Sequence, residues 1–181
     1  MNMTKISVIS IVLAGISLIV SSLAANAQQA NSRINGLGLS SKEPIQIESD
    51  RLDIDDSASS ATFNGNVNVV QGDTLLKSGR MVVYYAGGGS VSAGATDIEK
   101  IEVSGSVLLQ SGNQTATADS GLFNMIAQTL VLTGDKVVLS QGDNILVGCK
   151  LTVEMETGDA RLDSCKNERV IFQIDPKSAP Q

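Results

Sequence analysis

The 181-residue sequence has no histidine and no tryptophan, and only three phenylalanines and two tyrosines. Without His there is no Ser-His-Asp or Cys-His nucleophile system and no His-containing zinc site. So few rings leave little to stack against bases or sugars. Positive charge is also scarce: 13 Lys and Arg stand against 19 Asp and Glu, for a net charge of −6. A phosphate-binding surface needs clustered Lys and Arg, which argues against nucleic acid as a partner. The remaining catalytic candidates are carboxylate pairs of the kind glycosidases use, such as Asp53 with Asp55 or Asp119 with Glu102. Most of these lie beside turn signals, where Asp is favoured for local hydrogen bonding. The Gly-Asp turns lack the dense repeat of a calcium-binding array. No enzyme activity, cofactor or metal is expected, and the length suits one domain with a real core.

What is present begins with a leader. Lys5, an apolar run over 6–23 and Ala25-Asn26-Ala27 supply the basic, apolar and small-residue regions of a secretory signal peptide. An uncleaved anchor is the competing reading, because about 18 residues is the lower limit for a membrane span. Ser and Gly within the run, and the Ala-x-Ala site, favour cleavage after Ala27. No Cys adjoins that site to accept a lipid. Cleavage removes Lys5, the only charge in the leader, and takes the net charge to −7. Export would carry Cys149 and Cys165 into an oxidising compartment, where an even count suggests a disulfide. The segment between them reads as a hairpin turning near Thr157 or Gly158, which sets the two cysteines almost opposite each other. Two unpaired buried thiols are the alternative.

Residues 28–41 are rich in Gln, Asn, Ser and Gly and read as a flexible segment. From Pro44 onward apolar residues recur at every second position: Ile45 and Ile47, Leu52 and Ile54, Val67 and Val69, Val107 and Leu109, Leu130 and Leu132, Val137 and Leu139, Leu151, Val153 and Met155. That is the period of half-buried strands. The breaks carry turn chemistry: Asp55-Asp56-Ser57, Gln71-Gly72-Asp73, Ser111-Gly112-Asn113, Thr133-Gly134-Asp135, Gln141-Gly142-Asp143 and Thr157-Gly158-Asp159. The domain is therefore all-β.

An internal repeat underlies the alternation. Phe63-x-Gly65-x-Val67-x-Val69 is echoed by Val103-x-Gly105-x-Val107-x-Leu109 and by Leu132-x-Gly134-x-x-Val137-x-Leu139. The longer first interval holds Gly87-Gly88-Gly89-Ser90 through Ala95, which reads as an inserted loop. Stacked units of this kind bury a continuous core and leave an open strand edge at each end. A jelly roll of two packed antiparallel sheets and a solenoid-like sandwich fit equally well.

These residues resemble the LptA family, also called OstA-like, the periplasmic lipopolysaccharide-transport bridge of Gram-negative bacteria. The matching features are Pro44-Ile-Gln-Ile47-Glu-Ser-Asp50-x-Leu52, Phe63-Asn-Gly65-Asn-Val67-x-Val69-x-Gln71-Gly72-Asp73, Leu132-Thr-Gly134, Gln141-Gly-Asp-Asn-x-Leu146-x-Gly148 and Thr157-Gly158-x-Ala160-x-Leu162. The resemblance spans 42–176, between the flexible segment and a short tail at 177–181. It implies a twisted antiparallel β-jelly roll, open at both sheet edges, that holds lipid A acyl chains between its sheets. It further implies a periplasmic location and two protein partners: an inner-membrane-anchored LptC-like protein and the N-terminal domain of an outer-membrane LptD-like assembly protein. The loop at 87–95 and the cysteine pair are not required by the family pattern.

The inward, lipid-facing set expected on this basis is Ile45, Ile47, Phe63, Val67, Val69, Leu76, Val107, Leu109, Leu130, Leu132, Val137, Leu139, Leu151 and Val153. A plain β core would use the same residues. The sheet should begin at 44–49 and end at 169–174, with unpaired backbone groups that invite strand addition. Head-to-tail self-association would then join Ile45 and Ile47 at one edge to Val170 and Phe172 at the other. Protection of the edges by the tails is the alternative. A rival from another class is a structural or polysaccharide-binding β-protein of the envelope, which the sparse aromatic inventory disfavours.

Overall fold

The computed structural model of the protein describes Leu37, Leu39 and residues 43–86 and 97–174, all within the unit Ser32–Gln181. The leader 1–27, the glycine-rich loop 87–95 and the tail 177–181 lie outside the described residues. Among those described there are ten strands and no α-helix: β1 (Gln46–Glu48), β2 (Arg51–Asp55), β3 (Ser60–Gln71), β4 (Thr74–Tyr85), β5 (Ile98–Ser111), β6 (Gln114–Asn124), β7 (Thr129–Gln141), β8 (Asn144–Glu154), β9 (Ala160–Asp163) and β10 (Ile171–Gln173). Strands β3 to β8 form an antiparallel meander. Gly72, Gly112 and Gly142 open its two-residue turns with φ of 54°, 55° and 58°. A left-handed first turn position matches the strand twist of a tight hairpin.

Halfway along the meander every ladder slips. The breaks fall at Asn64/Val67, Lys77/Arg80, Ser104/Val107, Thr117/Ser120 and Thr133/Val137. Extra residues in one strand of a pair bend it. In β3 and β5 the bend is Gly65-Asn66 and Gly105-Ser106, with both residues of each pair at positive φ. The single sheet thereby folds into an upper layer carrying the tight turns and a lower layer, and the inward residues of both layers belong to one core. This is the jelly-roll-like all-β architecture expected from the resemblance. The reading of Thr133-Gly134-Asp135 as a turn is corrected: these residues lie inside β7, at its bend. Their turn-like composition reflects a corner in one strand, which asks for the same small and polar residues as a reversal between two.

Each end of the sheet is capped by a pair of short strands straddling the bend. At the N-terminal edge β1 pairs with the upper half of β3 and β2 with its lower half. At the C-terminal edge β10 pairs with the upper half of β8 and β9 with its lower half. The sequence pointed to one terminal strand per end, whereas the folded sheet presents two. Both short pairs are tied to the corner. Between β1 and β2, the Asp50 amide donates to the Gly65 carbonyl at 3.0 Å and the Asn66 side-chain amide donates to Asp50 Oδ2 at 2.9 Å. Between β9 and β10, Cys165 is disulfide-bonded to Cys149, which sits at the bend of β8, with the Cα atoms 4.9 Å apart. The expected hairpin, turning through Met155–Asp159 with Gly158 at φ 75°, brings the two cysteines together.

Candidate functional site

Cross-strand register sorts the inward residues into rows that run the width of the sheet. In the upper layer one row is Ile47, Val69, Leu76, Leu109, Ala116, Leu139, Leu146 and Phe172, each opposite the next. The lower layer has two rows. One is Leu52, Phe63, Met81, Val103, Gly121, Leu132, Leu151 and Leu162; the other is Ile54, Ala61, Val83, Ile101, Phe123, Leu130, Val153 and Ala160. The rows face each other across one apolar interior, and none holds an Asp, Glu, Lys or Arg. Apolar surface on facing rows is removed from water at about 25 cal/mol per Å², which is what closes the two layers.

Of the expected inward set, Val67, Val69, Leu76, Val107, Leu109, Leu130, Leu132, Val137, Leu139, Leu151 and Val153 are buried in this interior. Ile45, Ile47 and Phe63 pack partly buried against it. The sequence reading missed Met81, Val83, Ile101, Val103, Ala116, Ala118 and Phe123, all of which are buried. Met81-Val82-Val83 is a continuous apolar run that hides its parity, and Ala116 and Ala118 are too small to register as a stripe. The Ile101 and Val103 alternation was legible, since it continues through the Gly105-Ser106 bend into Val107. Leu37 and Leu39, inside the segment read as having no apolar face, are also buried in the core.

The two ends of the interior differ. At the N-terminal end, the Gln71 side-chain amide donates to the Glu43 carbonyl at 2.8 Å, and Leu39 follows only four residues upstream of that anchor. At the C-terminal end the layers part around a cavity of about 350 Å³. Leu139 and Leu146 line it from the upper layer, Leu151 and Leu162 from the lower, with Phe172 at its mouth and Gln114 at its rim. Phe172 is 57% exposed although it stands on the inward side of β10. Val170, proposed with it as an edge residue, lies just before β10 and is 40% exposed.

Among the described residues the ion pairs lie on the outer surface, and the cavity lining carries one charged residue, Asp159 in the β8–β9 turn. Arg51 with Asp53, Lys100 with Glu102 and Arg161 with Asp163 form ion pairs at 2.7, 2.7 and 2.9 Å. Each pair flanks an inward apolar residue on its strand, so both partners point outward. The Glu102 hydrogen bond holds the Lys100 pKa above its ordinary value, and Lys100 lies 4.2 Å from the centroid of the Tyr84 ring. Asp53 likewise raises the Arg51 pKa through its hydrogen bond. The carboxylate pairs considered from sequence are occupied with such duties. Asp53 accepts from Arg51 and from the Asn64 side chain. Asp55 accepts from the Ser57 hydroxyl and amide and the Ala58 amide, which holds its pKa low. Asp119 accepts from the Asp135 amide at the β7 bend, and Glu102 is held by Lys100 and Tyr84. Among the described residues no three His, Cys, Asp or Glu side chains converge as metal ligands would.

The comparisons with known proteins bear on this groove. Residues 46–159 match the family described as LptA/(LptD N-terminal domain) LPS transport protein. The chain belongs to this family. The match runs from β1 to the β8–β9 turn, so it takes in the rows across β1 to β8 and stops short of β9 and β10. The chain is 57% identical over 165 residues to an uncharacterised protein of Rhizobium meliloti (strain 1021), covering 91% of this chain and 87% of that one. It is 60% identical over 47 residues to an uncharacterised protein encoded in the 5′ region of an rpoN-linked probable transport protein in Rhizobium etli, covering 26% and 85%. Its fold is similar to the crystal structure of LptH, the LptA-homologous periplasmic component of the conserved lipopolysaccharide transport device of Pseudomonas aeruginosa. That match has a TM-score of 0.62 at 18% identity and covers 74% of this chain and 96% of LptH.

Proposed function

We propose that the protein is a non-enzymatic periplasmic carrier that holds lipopolysaccharide by the acyl chains of its lipid A between the two layers. In this reading it bridges an inner-membrane-anchored LptC-like protein and the N-terminal domain of an outer-membrane LptD-like protein, through head-to-tail contacts of sheet edges that include Ile45 and Ile47 at one end and Val170 and Phe172 at the other. Export follows from the leader, with cleavage after Ala27, and accords with the disulfide.

The observation that carries the reading is the apolar interior that opens at the C-terminal edge in a cavity lined by Leu139, Leu146, Leu151, Leu162 and Phe172, with Asp159 its one charged lining residue. Each acyl CH₂ taken out of water there contributes about 0.8 kcal/mol. Holding the lipid therefore needs no charged anchor, and the net negative protein would repel phosphates drawn close to it. A photo-crosslinking amino acid at Leu146, on the inward side of β8, should capture lipopolysaccharide in cells, and one at the outward neighbour Val147 should not. Binding should persist in 1 M salt, where the screening length is about 3 Å. Capture only at Val147, or loss of binding in salt, would sink the acyl-chain mode.

A further inference from the structure

The row nearest the tight turns breaks the apolar pattern. Gln71, Thr74, Ser111, Gln114, Gln141 and Asn144 stand opposite one another in unbroken register from β3 to β8. They lie two residues along each strand from Val69, Leu76, Leu109, Ala116, Leu139 and Leu146, and so share the inward face. All six are polar and uncharged. Gln71, Thr74 and Gln114 are buried, at 4%, 8% and 5% exposure. A polar group is costly to bury unless it is hydrogen-bonded. On the N-terminal side the row is satisfied locally: Gln71 donates to the Glu43 carbonyl, and the Thr74 hydroxyl lies 3.2 Å from that of Ser111. On the C-terminal side Gln114 Oε1 is buried without a donor. Gln114 also lines the 350 Å³ cavity, together with Gln141 and Asn144 on the rim, Asp159 from the β8–β9 turn, and leucines beneath.

We infer that this rim is a hydrogen-bonding collar which selects acyl chains bearing a hydroxyl or amide N–H near their head, with Gln114 as the residue that reads it. The inference rests on the lipid-carrier reading above. A core residue with only a packing role at position 114 would be aliphatic, as its neighbours two residues along every strand are. An amide there carries a standing penalty for its unmet acceptor, and a donor on the ligand removes it. Rotation about the terminal torsion lets the carboxamide offer its oxygen or its NH₂ to a ligand in the cavity. The absence of Lys and Arg from the row makes it unsuited to phosphate, which calls for charge-assisted donors. It suits neutral hydroxyl and amide groups. The depth follows from strand geometry: two residues span about 6.6–6.8 Å. The donor therefore sits within a few bonds of the head, where the chain leaves the leucines and meets the turns.

The test compares tetradecanoic acid with 3-hydroxytetradecanoic acid as probes of the intact protein, by titration calorimetry, in the wild type and in Gln114→Met. The wild type should favour the hydroxylated acid by about fivefold, the worth of one net hydrogen bond. In Gln114→Met the preference for the hydroxylated acid should vanish, and the melting temperature should not fall. A purely structural role for Gln114 would lower the melting temperature and leave the selectivity ratio unchanged, which would overturn the collar. Equal binding of both acids by the wild type would also overturn it, without recourse to any variant, and would leave the carrier reading standing. Failure of both acids to bind would overturn the two together.

Discussion

Gly79 and Gly105 meet backbone to backbone across β4 and β5, so that a Cβ built on Gly105 would lie 3.3 Å from the Gly79 Cα. Gly105 also has φ of 82°, a left-handed backbone that L side chains adopt at a cost of about 1–2 kcal/mol. Gly112 shares the left-handed backbone, but nothing lies within 4 Å of the Cβ it would carry. Gly105→Ala should therefore destabilise the fold by about 2 kcal/mol or more, and Gly112→Ala by about 1 kcal/mol. Urea unfolding of both variants measures the difference, and equal losses would mean that the close approach at the bend contributes nothing.

The disulfide closes a loop of sequence separation 16 around β9. A loop of that length is worth about 3 kcal/mol in chain entropy. The double variant Cys149→Ser, Cys165→Ser should lose roughly that much stability. Its amide exchange should rise first in β9 and β10. Uniform loss of protection across the meander would show instead that the bridge supports the whole fold.

Asp55 caps the β2–β3 turn through the Ser57 hydroxyl and two backbone amides, and those bonds hold its pKa below the ordinary carboxylate value. A carboxylate whose folded pKa is depressed adds stability above its unfolded value, and that contribution fades as pH falls through the folded one. Asp55→Asn should thus be less stable than the wild type at pH 7, with the gap narrowing as pH falls below the ordinary carboxylate value of about 4. Thermal unfolding of the pair across that window tests the sign. A gap that widens on acidification would contradict the capping geometry.

At the C-terminal edge β10 is only three residues long and pairs with β8 through Ile171, Phe172 and Gln173. Proline in such a strand removes a ladder donor. Ile171→Pro should weaken self-association measured by sedimentation while leaving the melting temperature nearly unchanged, because β10 adds only the largely exposed Phe172 to the upper row. Unaltered association would move the contact to β9 or to the opposite edge.

Much of this architecture was legible in the sequence, because alternation is a direct imprint of the pleat. Val67 with Val69, Leu130 with Leu132 and Val137 with Leu139 announced both strands and inward faces. The Gly-x turns after Gln71, Ser111 and Gln141 fixed the hairpins. The bend was not legible as a bend, since Gly134-Asp135 within one strand reads the same as a reversal between two. The doubling of each edge strand followed from that missed corner. Met81 and Val83 were hidden by the equally apolar Val82 between them. The polar row through Gln114 escaped because Gln71, Ser111 and Gln141 were counted as turn punctuation. Only the cross-strand register shows that they share a face with the leucines beside them.

The ladder breaks at Gly65, Gly79, Gly105, Asp119, Gly134 and Cys149 line up as a spine along which the two layers are bound like covers. Cross-strand pairing resumes only on either side of that line, so a change in the angle between the covers leaves the pairing of both pages intact. The angle between the leucine faces is thus set at one line of small and polar residues. Asp50 fastens the spine at one end by hydrogen bonds and Cys149 at the other by a covalent bond, so reduction can release only the C-terminal fastening.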